Sequence, residues 1–112
     1  MKVLNITLKR QWFDLIKAGI KTEEYRMIKP YWIVRLSKTL IYQPSIEQLL
    51  QHNSFKTFDL VSANNGYAKN CPNITWRHKG IRIGTGNPEW GAEPGKQYFI
   101  LEIGEIISHA NM

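Results

Sequence analysis

The hydrophobic period changes twice within the first 28 residues, and those changes fix most of what the chain can build. Residues 2–8 (KVLNITL) set Leu4, Ile6 and Leu8 against Val3, Asn5 and Thr7, the alternation of a strand with one buried face. From Lys9 to Ala18 the repeat lengthens to that of a helix, with Trp12, Phe13, Leu15 and Ile16 on one side and Gln11, Asp14 and Lys17 on the other. Lys17 complements the carbonyl end of that helix, and Gly19 supplies its left-handed terminator. Residues 20–28 (IKTEEYRMI) then run extended until Lys29-Pro30, where proline disfavours helix in the residue before it and lacks an amide donor. A strand, a short helix and a second strand are therefore predicted in succession.

Beyond Pro30, Tyr31–Leu36 is read as one or two helical turns. Ser45 is followed three residues on by Gln48, a reciprocal capping pair that opens a small helix over 45–51 with Ile46, Leu49 and Leu50 buried. Residues 57–63, 74–84 and 97–107 are rich in β-branched and aromatic side chains, and Asn64-Asn65-Gly66 and Asn87-Pro88 punctuate them as turns. Gly80, Gly84 and Gly104 interrupt these runs, as glycines at bulges do. The 112 residues, 43% hydrophobic and 21% charged, suit one ordinary domain spanning 1–112 that buries about two-thirds of its open-chain surface. The predicted class is α+β: a small, mostly antiparallel β-barrel of about five strands with two or three short helices packed on it. Trp12, Phe13, Phe58 and Phe99 are assigned to its core, while Trp76 and Trp90 are open to core or stacking roles.

Cys71 is the one cysteine, which excludes an internal disulfide framework and fits a reducing cytoplasm. No apolar run reaches the roughly eighteen residues of a membrane span, and Met1–Arg10 lacks a signal-peptide core, so neither membrane nor secretion is expected. His52, His78 and His109 have no metal-ligand spacing, and Gly84-Thr85-Gly86 lacks the rest of a nucleotide loop, so no metal and no cofactor are predicted. Residues 1–38 carry nine Lys/Arg against three acids, whereas residues 39–112 carry six of each. That asymmetry predicts a localised anion-binding surface and a polyanionic partner.

The densest polar group follows the first helix. If residues 21–26 are extended, Thr22, Glu24 and Arg26 share one face and Lys21, Glu23 and Tyr25 the other, with Lys21 at the barrel mouth. A plain solvated edge strand would give the same pattern, its surface ion pairs contributing at most about 1 kcal/mol each. To serve as a general base, Lys21 needs its pKa lowered by about three units, about 4 to 5 kcal/mol. Arg26 pushes that way and Glu23 and Glu24 oppose it, so a protonated, electrostatic Lys21 is expected. In an enzyme, Thr22 would be a hydroxyl nucleophile with Glu24 as its base. Tyr25, Tyr31, Trp32 and Tyr67 are placed to stack on bases, and 87–93 is a candidate lid offering Glu89, Trp90 or Glu93.

Gly19-x-Lys21-x-x-Glu24-x-Arg26, directly behind Trp12-Phe13-Asp14-Leu15-Ile16-Lys17-Ala18 and followed by Lys29-Pro30-Tyr31-Trp32, resembles the signature of the ASCH (activating signal cointegrator homology) family. Asn65-Gly66-Tyr67 and the stretch Trp90–Gly95 through Tyr98-Phe99 are similar to its short, stand-alone members. The resemblance covers residues 4–36 and about 58–104, and it implies a PUA-like barrel that faces RNA. It also implies that Gly19 turns the chain, that Lys21 reaches a phosphate or reactive group, and that Glu24 and Arg26 line a cleft. Two small ASCH branches are hydrolases, one removing the acetyl group of N4-acetylcytidine and one cleaving single-stranded RNA. The first shares the lysine of position 21 but has a threonine nucleophile where this chain has Glu24.

The expected function is binding of RNA or a modified nucleoside in a cationic cleft, through Lys21, Arg26 and Lys29 with Tyr25, Trp32, Tyr67 and Trp90. The alternatives are a hydrolase in that cleft, either an N4-acetylcytidine-type amidohydrolase or a single-strand-specific ribonuclease using Lys21, Glu24 and Thr22, and a non-catalytic interaction protein whose motif is structural. The first two require the Lys21 and Arg26 cations to converge on one concave spot.

Overall fold

The computed structural model describes residues 1–51 and 55–111; His52 lies outside them. In chain order the elements are β1 (Val3–Thr7), α1 (Arg10–Lys17), β2 (Glu23–Met27), α2 (Pro30–Leu36), α3 (Ile46–Gln51), β3 (Leu60–Asn64), β4 (Asn73–Thr85) and β5 (Gln97–Ala110), with a single 3-10 turn at Pro88–Trp90. Each predicted segment forms. Gly19 takes φ +77° behind α1. Ser45 Oγ accepts from the Gln48 amide at 3.1 Å while Gln48 Oε1 accepts from the Ser45 amide at 2.9 Å, the reciprocal cap expected of that pair. The third strand starts at Leu60 rather than Thr57; Asp59, just before it, is tied to Lys2 through both its carboxylate and its amide.

The sheet order is β1-β3-β4-β5-β2, a half-barrel whose edges are the two strands that flank α1. Its spine is the 13-residue β4 against the 14-residue β5, long enough for β3 to pair with the first half of β4 and β2 with the first half of β5. The sheet is mixed, since β1 and β3 run parallel while the other three pairs are antiparallel. A parallel neighbour requires a crossover, and here the chain visits the far edge as β2 before returning as β3.

Two clusters hold the sheet. The main core lies inside the curl and includes Phe13, Ile16, Leu36, Val61, Trp76, Phe99 and Leu101. Ala92, Tyr98 and Ile100 form a smaller cluster with Tyr25 and Met27 on the outer face. Residues 98–101 therefore bury alternate side chains into different clusters, which explains a continuous apolar run in a strand. Phe13 and Phe99 take their expected core places and Phe58 packs partly buried beside them. Trp12 departs from expectation: it is half-buried and lines a cleft, because its helix faces the sheet with Phe13 and Ile16. No helix among the described residues is long and apolar enough to cross a membrane.

The β4–β5 ladder shifts register between Thr75 and Gly80, and Gly80 and Gly104 sit at those irregularities, whereas Gly84 pairs in register with Tyr98. A Cβ at Gly104 would stand 2.5 Å from the Arg77 carbonyl oxygen, a backbone atom that has nowhere to go. Gly104→Ala is therefore expected to lower stability by about 1–3 kcal/mol. An unchanged urea midpoint would contradict this account of the bulge.

Candidate functional site

The two edges of the curled sheet do not pair with each other; side chains span the gap between them. Ile103 N donates to Thr22 O, so alternation in the antiparallel ladder turns the Glu23 carbonyl outward from the edge. Lys21 Nζ donates to that carbonyl and, at 2.6 Å, to Glu24 Oε1. Arg26 Nη2 donates to the other carboxylate oxygen at 2.7 Å and to the Thr7 carbonyl on β1 at 3.0 Å. One carboxylate thus holds two cations, and the arginine ties β2 to β1.

Lys21 reaches this position because the amides of Ile20 and Lys21 both donate back to the Leu15 carbonyl, wrapping the chain tightly under α1 after Gly19. Its side chain is fully buried, not at the mouth of a barrel as its place directly after the helix predicted. The ammonium lies 5.9 Å from the Trp12 ring centroid and 5.1 Å from that of Tyr25, two π faces that offset part of its lost hydration. Burial still holds Lys21 below the usual lysine range, against the opposing pull of Glu24. Burial likewise pushes the Tyr25 phenol up. Arg26 is less enclosed, with 17% of its side chain exposed, and its guanidinium carbon sits 4.9 Å from the Trp32 ring centroid. Its Nε is buried and without a partner among the described residues.

A cleft of about 340 Å³ opens against this cluster. Thr7, Leu8 and Lys9 leave β1 along one side, and Glu24, Tyr25 and Arg26 form the other. Because β2 is an edge strand, the cleft meets side chains from both of its faces. Trp12, Tyr67, Trp90 and Tyr98 add aromatic walls. The 86–92 segment is set close by two glycines: a Cβ at Gly86 would fall 2.6 Å from Tyr25 Cζ, and one at Gly91 would fall 2.8 Å from Trp12 Cζ2. The Asn87 amide donates to Tyr25 Oη at 2.9 Å, and Tyr25 Oη in turn donates to Glu23 Oε1 at 2.7 Å. Arg82 carries that chain outward by pairing with both Glu23 and Glu102 at 2.5 and 2.7 Å.

The structure gathers Glu24, Arg26, Tyr25, Tyr67 and Trp90 at one cleft and sets Lys21 behind its wall, so the expected convergence of both cations on one concave spot is not met: they share the Glu24 carboxylate, and only Arg26 reaches the cleft. Thr22 precedes the strand, is exposed and lies outside the cleft lining, so its hydroxyl is not set beside the Glu24 carboxylate. Lys29 faces a different groove of about 650 Å³, which no aromatic side chain lines. Trp32 backs Arg26 without lining the cleft. Of the suggested lid residues, Trp90 lines the cleft and Glu89 and Glu93 do not. Trp76 is wholly buried in the core. The early basic residues also fail to form one patch: Lys9 and Arg26 face the cleft, Arg10 pairs with Asp14, and Arg35 lies over Tyr31. Sequence reasoning missed Lys9 and Trp12 as cleft residues. The signal was present for Lys9, which stands at the junction of strand and helix where the sheet edge opens.

Two outcomes follow for the buried cluster. Glu24→Ala strands two cations, and a loss of about 3–5 kcal/mol is expected; Lys21→Met leaves Glu24 paired to Arg26 and should lose clearly less in the same urea titrations. Lys21 binds fewer protons folded than unfolded between its lowered folded pKa and the ordinary 10.5, so its contribution to stability rises with pH across that window. The raised Tyr25 pKa acts oppositely, but only above about 10, where unfolded phenols ionise. The stability gap between wild type and Lys21→Met should therefore shift in favour of wild type from neutral pH toward about 10, and a flat gap would contradict the burial effect.

Among the described residues, no group of three or more His, Cys, Asp or Glu side chains is arranged to hold a metal ion. Compared with family models, curated proteins and solved structures, the chain matches none, so the reading of this site rests on its own geometry.

Proposed function

We propose that the chain is an ASCH-type module that binds single-stranded RNA or a modified nucleoside in the cleft between β1 and β2. The observation that carries this reading is the Arg26 guanidinium, presented at the wall of an aromatic cleft with a buried, unpartnered Nε. Lys21, Glu24 and Arg26 together carry one net positive charge, and Lys9 adds another at the cleft rim. An anionic guest balances that excess, and Trp12, Tyr67 and Trp90 offer ring faces on which bases stack whatever their identity. The free Cys71 thiol goes with a reducing, cytoplasmic setting.

Binding is favoured over hydrolysis by how the polar groups are engaged. Each Glu24 oxygen is already engaged by a cation, Oε1 by Lys21 and Oε2 by Arg26, and the Lys21 ammonium has no exposed surface from which to meet a substrate. Lys21 then acts from behind the wall, fixing the carboxylate that orients Arg26.

The test is affinity for a short single-stranded RNA across a salt series. The logarithm of affinity should fall linearly with that of salt, Lys9→Ala should reduce the slope by about one, and Trp90→Ala or Tyr67→Ala should each lose about 1–3 kcal/mol. Salt-independent retention would overturn the proposal. Release of cytidine from N4-acetylcytidine, or cleavage of the RNA, would replace it with the hydrolase.

A further inference from the structure

A second hollow lies where the segment entering β3 meets the bulge of β4, and it shares no lining residue with the cleft. We infer that this hollow is an independent site for a small phosphate ester bearing an aromatic or heterocyclic ring. Its volume of about 380 Å³ falls within the range of small-ligand sites, about 300–1,000 Å³.

Three cations from separate parts of the chain line it, Lys38, Lys56 and Lys79, and none of the described lining residues is acidic. Lys38 and Lys79 make no ion pair among the described residues. Lys56 spends one donor on the Val34 carbonyl at 2.8 Å, leaving two. The nearby Asp59 carboxylate is already engaged by the Lys2 amide at 2.7 Å. Three lysines around one hollow with no acidic residue in its described lining suit an anion with several oxygens.

The rest of the wall is aromatic. Phe55 and Phe58 line the hollow, and Phe58 meets the His78 ring edge-on at 6.0 Å between centroids. Both His78 ring nitrogens are buried and have no hydrogen-bond partner among the described residues. A buried imidazole with neither nitrogen satisfied is uncommon in a native protein and calls for a missing partner. The backbone supplies a second argument. Consecutive strand residues point to opposite faces, yet His78 and Lys79 line the same hollow. The ladder steps from His78 opposite Ile103 to Gly80 opposite Glu102, leaving Lys79 unpaired, and Gly80 takes φ +148° to make the step. The bulge thus sets two consecutive residues, His78 and Lys79, at the border of one hollow, a use to which bulges beside sites are put.

The test is titration of isotope-labelled protein with adenosine monophosphate and, separately, with inorganic phosphate. Saturable shifts are expected in the His78 ring and Gly80 amide resonances, with the nucleotide binding more tightly than phosphate alone. The Lys38→Ala/Lys79→Ala variant changes two exposed side chains and should keep its spectrum while weakening the nucleotide by about tenfold or more. Absence of shifts at His78 and Gly80, shifts confined to the Trp12 and Trp90 indoles of the cleft, or undiminished affinity in the double variant would each overturn the inference. Equal affinity for phosphate and nucleotide would overturn its aromatic part. RNA binding in the cleft is read from other residues, so either result stands without the other.

Discussion

The Glu24 carboxylate is the interaction on which the rest of the molecule turns. A half-barrel has two exposed edges, and unpaired edges invite pairing with other chains. Here they are occupied by side chains: the outward carbonyl of Glu23 takes the Lys21 ammonium, and the Thr7 carbonyl takes the Arg26 guanidinium. Both cations are tolerable in so dry a place because they share one anion between them. The gap that remains between the edges is the cleft, so the device that fastens the fold also furnishes its cationic wall.

Local elements were legible in the sequence because they depend on local chemistry. The alternation of residues 2–8, the Ser45 and Gln48 cap and the Gly19 terminator all appear as read. Strand pairing was not legible, since nothing in the alternation of β1 says that its neighbour will be β3 running parallel. The doubly buried run at 98–101 likewise looks like any apolar strand until the 86–95 segment is seen covering its outer face.

The site was legible in its residue types and less so in their placement. Alternation grouped Thr22 with Glu24 and Arg26, but the strand begins at Glu23; the Thr22 carbonyl meets β5 at Ile103 while the residue itself is exposed outside the cleft. Lys21 was assigned to the mouth because it comes directly after the first helix; its enclosure depends on Trp12 and Tyr25, which meet only in the folded chain. The hollow lined by Lys38, Lys56 and Lys79 had no signal at all in a count of charges by thirds. Its members come from three stretches that topology alone brings together.

The connection from β4 to β5 is clipped to its neighbours by two phenols, the Asn87 amide meeting Tyr25 and the Glu93 amide meeting Tyr98. Between those clips lie Trp90 and Gly91, which form part of the rim of the cleft. The aperture can consequently be retailored, by a residue gained or lost between the clips, without disturbing the pairing of a single strand. A scaffold arranged in this way separates what it grips from how it stands up.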